Sequence, residues 1–377
     1  MIKERKSNFE LLKIIAMLMI ISFHYVYKSG YVFENMNLNS FIIKSFWFLG
    51  ELGVNLFMLI TGYFMINKKM SLKKVMLISI EVFFYNLLNV LLNCYLLKIP
   101  LKITDIIFPV ILDKYWFVSV YIIIYILSPY FNKLIINMSK KEFEKLLIIV
   151  VSIWSIIPTV FGLRNNSSET ILYYSRFIWM VVMYFMGAFI KLYDIKELNT
   201  KKKSIFVTLI TWGIMTCSIL FIYYNKENFN IIGTYEWAYL WTPNNFFMLI
   251  LSVSVFQYFS KLRIKDSLII NTLASTTLGI YMLHDGCFNT ILWRYLLNTK
   301  MKLESKYSIF YIIVTSLLIF AVGAVIDLIR KKIEKYTISK LIGYYSKKYK
   351  QSDNIRTLDN SNKTSTIKMT KSTNGEI

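Results

Sequence analysis

The sequence predicts an all-α, polytopic membrane helix bundle with about ten transmembrane helices, and three observations support this. Apolar stretches of about 20 residues, the length of a helix that crosses a bilayer, recur along the chain between short polar or basic loops. Of the 377 residues, 56% are hydrophobic and 17% aromatic, more than a soluble protein of this length is expected to carry. Lysine and arginine are concentrated in alternate loops, as the positive-inside rule describes for cytoplasmic loops.

The predicted spans are the successive apolar runs, each bounded by charged or polar residues. The fifth is short and contains Pro158, which removes one helical hydrogen bond. In chain order the spans are Phe9–Tyr27, Ser45–Ile66, Leu72–Leu97, Tyr115–Ile136, Leu146–Gly162, Tyr173–Leu192, Ser204–Tyr224, Asn244–Ser260, Leu268–Trp293 and Tyr307–Ile329.

Basic residues place both termini in the cytoplasm. The amino terminus is basic, and so are the loops after the second, fourth, sixth and eighth spans and the segment after the tenth. The intervening loops are poorer in lysine and arginine, except for 294–306. We therefore expect a multi-pass protein of the plasma or inner membrane.

The chain predicts one membrane domain, residues 1–343, and one tail, residues 344–377. The segment KKIEKYTISKLIGYYSKKYK after the last span has the pattern of a basic amphipathic helix on the inner leaflet. From residue 351 the chain is rich in Ser, Thr, Asn and Lys and has almost no apolar content, which predicts a disordered cytoplasmic tail.

The net charge of +22 lies mostly in alternate loops and the tail. There it orients the protein and meets anionic lipid, so we expect the bilayer, and not nucleic acid, as its partner. Cys94, Cys217 and Cys287 all fall inside apolar stretches. Their spacing predicts neither a disulfide framework nor a metal site, and small core residues are the simpler interpretation.

The first span carries ionisable residues that are costly inside a membrane. Glu10, Lys13 and His24 lie among Ile, Leu and Met, and such groups by default face a protein interior or a wet cavity. Lys13 and His24 are separated by about 16 Å of helical rise and about 20° of rotation, so they share one face. Glu10, one turn from Lys13, is placed to pair with it.

The predicted topology places further polar residues at the depth of His24. The ninth span runs in the same direction as the first, so His284 and the adjacent Asp285 reach about the same depth. His24 and His284 are the only histidines of the chain. The other residues predicted in this outer half are Glu51, Asn55, Trp116 and Arg176.

Simpler interpretations of these residues stay open from sequence alone. A membrane histidine can merely donate to a neighbouring carbonyl, although two at one depth favour a function. Glu51 and Arg176 can form a structural ion pair, and Asp285 can only orient a histidine. Trp116 lies where an aromatic belt would place it in any case.

The first two spans resemble elements of the integral-membrane acyltransferase-3 family. NFELLKIIAMLMIISFHY resembles its basic-x10-His signature, with Lys13 where arginine is commoner and His24 as the histidine. GELGVNLFMLITGYFM resembles its glycine-rich "GxxGVxxFFxxSGY" element, here with Thr61 before Gly62.

Three later segments extend the resemblance, in family order, to about residue 330. YWFVSVYIIIYILSP is similar to "WFxxxYxxxYLLxP", RFIWMVVMYFMGAFI to "FxxGxxI", and TLGIYMLH, ending at His284, to "SxGIYLxH". Only basic-x10-His is specific by itself. The chain most resembles the shorter branch, without an esterase-like domain, found in capsule and cell-wall polysaccharide clusters.

The resemblance implies an O-acetyltransferase type of enzyme with no tightly bound cofactor. The donor would be cytoplasmic acyl-CoA, by family acetyl-CoA, and the acceptor a hydroxyl of a surface glycan or its lipid-linked precursor. Lys13, with Glu10 beside it, suits the CoA diphosphate, and His24 suits the general base.

Other roles are less defined. Arg176, Asn55 or a backbone amide would stabilise the oxyanion, with Glu51, Trp116 and Asp285 as further substrate candidates. His284 suits a second base, an orienter or an acceptor contact. Direct transfer is preferred, because no serine or cysteine is placed as a nucleophile, and an acyl-histidine is the alternative.

Two other functional classes compete. A transporter or flippase for lipid-linked sugar would also have many spans and a polar midplane, but it should show repeats or interrupted helices, which the sequence does not indicate. A non-catalytic membrane sensor is supported only by the polar tail.

Overall fold

The computed structural model describes residues 6–31, 36–98, 114–161, 175–225, 240–286 and 291–337, and positions 100, 104, 106, 109 and 110. These residues form helices and turns and no strand, which confirms the predicted all-α fold. The predicted tail, 344–377, and the boundary before it lie outside the described residues. So does most of the predicted amphipathic segment.

Eight described helices are long and apolar enough to cross a membrane, with α2 and α3 counted as one. This confirms a polytopic helix bundle with a span number near the predicted ten. The helices are α1 Ser7–Tyr27, α2 Leu38–Ser45, α3 Trp47–Met65, α4 Leu72–Leu97, α5 Trp116–Ile136, α6 Lys140–Val160, α7 Arg176–Tyr193, α8 Lys201–Tyr224, α9 Phe246–Ser260, α10 Leu268–Ala274, α11 Thr277–Asp285, α12 Thr299–Glu304 and α13 Ser308–Thr337.

Polar side chains begin several of these helices. Ser139 accepts from the backbone N–H of Glu142, whose carboxylate accepts from the Ser139 N–H, a capping box at the start of α6. At the starts of α7 and α8, the side chains of Ser175 and Thr200 each accept one hydrogen bond from a backbone N–H of the first turn. The side chain therefore satisfies an N–H that the first turn of a helix leaves without a partner.

Two prolines lie inside helices, and a side chain compensates each. Pro129 in α5 cannot donate to the carbonyl of Tyr125, which accepts from Ser128 Oγ at 2.7 Å instead. Pro158 in α6 leaves the carbonyl of Trp154 free for the amide of Asn244, at 2.9 Å. Before Pro158, residues 152–156 form a π-helical turn, a common response to an interrupted helical ladder.

The predicted ninth span is not one helix. It is divided into α10 and α11 at Ser275–Thr276. The hydroxyls of both residues donate to carbonyls three residues earlier, those of Thr272 and Leu273, and such bonds compete with the helical ladder. The hydrophobic pattern, which continues across the break, contained no sign of it.

α1 and α3 lie at the centre of the bundle. α3 packs against α1, α7 and α9, and α1 also contacts α10 and α11. Glycine permits the close approach: a Cβ atom at Gly53 would lie 2.7 Å from the carbonyl oxygen of Ala16. Small residues let membrane helices pack at this distance, so α1 is held firmly against α3.

The described residues divide into two compact units within α13, after Ala324. The first contains α1 to α12 and the residues of the candidate site. The described part of the second, Val325–Thr337, contains a buried ion pair of Asp327 with Arg330, 2.8 Å apart.

Candidate active site

α1 is the element that positions the first two predicted site groups. Its 21 residues contain no Gly or Pro, and its start is fixed by Asn8, whose amide donates to the Phe259 carbonyl at 2.9 Å. Near this end, Lys13 Nζ donates to Glu10 Oε1 at 2.9 Å, the pair that the spacing predicted. Lys13 keeps 27% of its side chain exposed, so its charge remains accessible.

The two histidines meet although 260 residues separate them. Nε2 of His284 lies 3.0 Å from Nδ1 of His24. Nδ1 of His284 lies 2.6 Å from the carbonyl oxygen of Ile280, one turn earlier in α11. Both side chains are buried, His24 at 9% exposure and His284 at 1%. α11, the second half of the broken span, therefore brings His284 level with His24.

A carboxylate and a lysine complete this group. Oδ1 of Asp285 lies 3.7 Å from Nε2 of His24 and accepts a short hydrogen bond from Lys28. About one sixth of each of the Lys28 and Asp285 side chains is exposed. We call His24, Lys28, His284 and Asp285 the histidine cluster.

A second group of predicted residues lies between α3, α5 and α7. The guanidinium carbon of Arg176 lies 4.8 Å from the centre of the Trp116 ring, a cation–π contact. Glu51 lies within electrostatic range of Arg176. These three predicted residues are thus brought together.

The side chain of Asn55 is fully hydrogen-bonded inside the protein. It is fully buried, and its amide nitrogen donates to the carbonyl of Pro243 at 3.0 Å and to Ser252 Oγ at 3.1 Å. Its oxygen accepts from the indole nitrogen of Trp179 at 3.0 Å. Both N–H groups are engaged, so none is left to donate to a developing oxyanion.

Sequence reasoning missed Lys28, a member of the histidine cluster, and two residues that support the cluster. Lys28 lies one turn beyond His24, a spacing that signals a shared face. Trp293 donates from its indole nitrogen to the carbonyl of His284 at 3.2 Å. Asn89 donates to the carbonyl of Met282 at 3.0 Å, and its only signal was a polar residue in an apolar span.

A family model described as an acyltransferase domain matches residues 6–332, nearly the whole chain. The chain belongs to the acyltransferase-3 family. Comparison with curated proteins and with solved structures found no match.

Membership in the acyltransferase-3 family and the membrane helix bundle together identify a membrane acyltransferase. The matched residues include Lys13, the second group and the whole histidine cluster. In this acyltransferase-3 protein a buried imidazole pair with an adjacent carboxylate lies on α1 and α11. Such groups are able to move a proton during acyl transfer.

Proposed function

We propose that this membrane acyltransferase moves an acyl group, acetyl by family, from cytoplasmic acyl-CoA to a hydroxyl of an extracytoplasmic glycan or its lipid-linked precursor. Its location would be the plasma or inner membrane, with both termini in the cytoplasm. The observation that supports this best is the arrangement on α1. An accessible cation, Lys13, and a buried imidazole, His24, lie towards opposite ends of α1, and His24 is in contact with His284 of α11.

The donor half of the proposal rests on Lys13. Its ammonium attracts the diphosphate of CoA as a point charge, and Glu10 holds the side chain in place. The pantetheine arm then extends along α1 towards His24, over about 16 Å of helical rise.

The acceptor half rests on His24 as general base. The acceptor hydroxyl oxygen forms a bond to the thioester carbonyl carbon while His24 takes the hydroxyl proton. The tetrahedral intermediate then collapses, the carbon–sulfur bond breaks, and His24 returns the proton to the CoA sulfur. Arg176 is the group proposed for the oxyanion, since Asn55 has both N–H groups engaged. Glu51 and Trp116 are proposed acceptor contacts.

The test is thiol release from acetyl-CoA by the purified protein in nanodiscs, with and without acceptor glycan. His24→Ala should lower the rate by about 10²-fold or more while the protein still reaches the membrane. Ser22→Ala is the matched control, because Ser22 is a buried polar residue of the same helix that lies outside the proposed site. Full activity of His24→Ala would remove His24 as the base.

The break between α10 and α11 also suits a transporter for lipid-linked sugar, because transporters bind substrates at interrupted helices. The same nanodisc protein separates the two functions. Acetyl-CoA turnover supports the acyltransferase. Movement of the lipid-linked sugar across proteoliposomes without turnover would support the transporter. Mass spectrometry of surface glycans from cells with and without the gene then identifies the acyl increment.

A further inference from the structure

We propose that His284 is a positioning residue that fixes the tautomer of His24, so that Nε2 of His24 is the atom that takes the acceptor proton. This inference rests on the proposed role of His24 as base. It also assigns Asp285 and Lys28, which the family signature does not contain, a role in holding the charge that His24 acquires.

The backbone of α11 fixes the position of the proton on His284. The carbonyl oxygen of Ile280 can only accept a hydrogen bond, and Nδ1 of His284 lies 2.6 Å from it. Nδ1 of His284 must therefore carry a proton. In a neutral imidazole the other nitrogen, Nε2, then has no proton and can only accept.

His284 in turn fixes the position of the proton on His24. Nε2 of His284 lies 3.0 Å from Nδ1 of His24, a normal hydrogen-bond length. Because Nε2 of His284 accepts, Nδ1 of His24 must donate. The lone pair of neutral His24 then lies on Nε2, on the side of the ring away from His284. Two hydrogen bonds in series thus determine which nitrogen of His24 is basic.

His284 is poorly suited to be a second base. Its two ring nitrogens are both engaged, one with Ile280 and one with His24, and the side chain is 1% exposed. No ring nitrogen is left to meet a substrate hydroxyl. The arrangement resembles in its logic the carboxylate that orients the histidine of a catalytic triad, with a neutral imidazole in its place.

Asp285 lies on the basic side of His24. The distance from its Oδ1 to Nε2 of His24, 3.7 Å, is too long for a hydrogen bond. While His24 is neutral, the lone pair on Nε2 therefore remains able to accept the proton of the acceptor hydroxyl. Once Nε2 carries the acceptor proton, the imidazolium faces a negative charge at that distance. Lys28 holds the carboxylate in place.

The direct test is ¹⁵N NMR of histidine-labelled protein in nanodiscs, which needs no activity. The chain contains two histidines, so His24→Gln and His284→Gln each leave a single labelled ring and assign the spectrum. We expect both rings of the wild type to be protonated at Nδ1 and unprotonated at Nε2. A His24 ring with its proton on Nε2 would overturn the inference, whether or not the protein turns over acetyl-CoA.

A kinetic test separates positioning from proton transfer by His284. His284→Gln places an amide oxygen near the position of Nε2, so it can still accept from His24 and should keep kcat within about tenfold. His284→Leu offers no acceptor and should lower kcat by about 10²-fold or more, with the KM for acyl-CoA unchanged. Leu283→Met, a half-buried apolar exchange in the same helix, is the matched control.

Equal losses in His284→Gln and His284→Leu, with normal Leu283→Met, would overturn the positioning role. If instead the wild type shows the expected tautomers but no acetyl-CoA turnover, the proposed function fails, and the positioning of His24 by His284 stands. The two failures are therefore distinguishable.

Discussion

The crossing of α3 and α7 gives a prediction whose magnitude follows from the backbone. A Cβ atom at Gly62 would lie 2.0 Å from the carbonyl oxygen of Tyr184, and one at Gly187 would lie 2.3 Å from that of Leu59. Real Cβ atoms keep at least 3.0 Å from such neighbours. The helices must therefore separate by about 1 Å to accept alanine at Gly62, because a backbone carbonyl, unlike a side chain, cannot rotate away.

Overpacking of this kind costs about 1–3 kcal/mol, and we expect Gly62→Ala and Gly187→Ala to lie at the upper end of that range. One separation of the helices relieves both contacts, so the double variant should lose less than the two single losses added. Gly213 is the matched control. It is a glycine of α8 whose Cβ position has no atom within 4 Å beyond its chain neighbours and its own helix backbone, and Gly213→Ala should gain about 0.5–1 kcal/mol.

The assay is the thermal unfolding midpoint of each variant in the same detergent, with membrane expression as a second readout. We expect the midpoint to fall by several degrees for Gly62→Ala and Gly187→Ala and to rise slightly for Gly213→Ala. A Gly62→Ala midpoint equal to that of Gly213→Ala would refute the close approach of α3 and α7. Strictly additive losses in the double variant would refute the single separation.

Three further predictions concern charged groups. Lys13→Ala should raise the KM for acyl-CoA with little change in kcat while Lys13→Arg retains activity, and an unchanged KM in Lys13→Ala would remove Lys13 from the donor site. Lys28→Met alone should lower the unfolding midpoint more than the double variant Lys28→Met/Asp285→Asn does, because the single change leaves the Asp285 carboxylate without its cation. Equal midpoints for the single and double variants would contradict this. Burial by itself raises the pKa of Asp194, just beyond α7, but hydrogen bonds from Lys261 and Gln257 hold it below its ordinary value of 3.8. A folded-state pKa below the ordinary value stabilises the fold at pH above that ordinary value, and this stabilisation is lost as the pH falls through the folded-state pKa. The midpoint advantage of wild type over Asp194→Asn should therefore shrink in acid. An advantage independent of pH would count against these hydrogen bonds to Asp194.

Residue patterns predicted the framework of this protein well. Hydrophobic runs placed helices at each predicted span, and the i, i+3 spacing of Glu10 and Lys13 predicted their ion pair. Equal depth was predicted for His24 and His284, which are in contact. Each of these rests on local geometry: rise per residue, rotation per residue and the cost of polar groups in lipid.

Other features of the site depend on neighbours that no local pattern contains. Asn55 has the depth and chemistry of an oxyanion donor, yet Trp179, Pro243 and Ser252 occupy its amide. The predicted ninth span is interrupted by hydroxyl-to-carbonyl bonds of Ser275 and Thr276. Hydrogen bonds of this kind depend on which groups lie beside a residue once the helices have packed.

The sequence by itself determined that the chain has the apolar helices of a multi-pass membrane protein and that it belongs with the acyltransferase-3 family, and it predicted a depth for each ionisable group. Only the tertiary structure decided that His284 turns one nitrogen to the Ile280 carbonyl and the other to His24, and that Lys28 and Asp285 join them. The physical reason is that hydrophobic length fixes position along a helix axis. Rotation about that axis, and hence which side chains meet, is set by close packing such as that of Gly53 on Ala16.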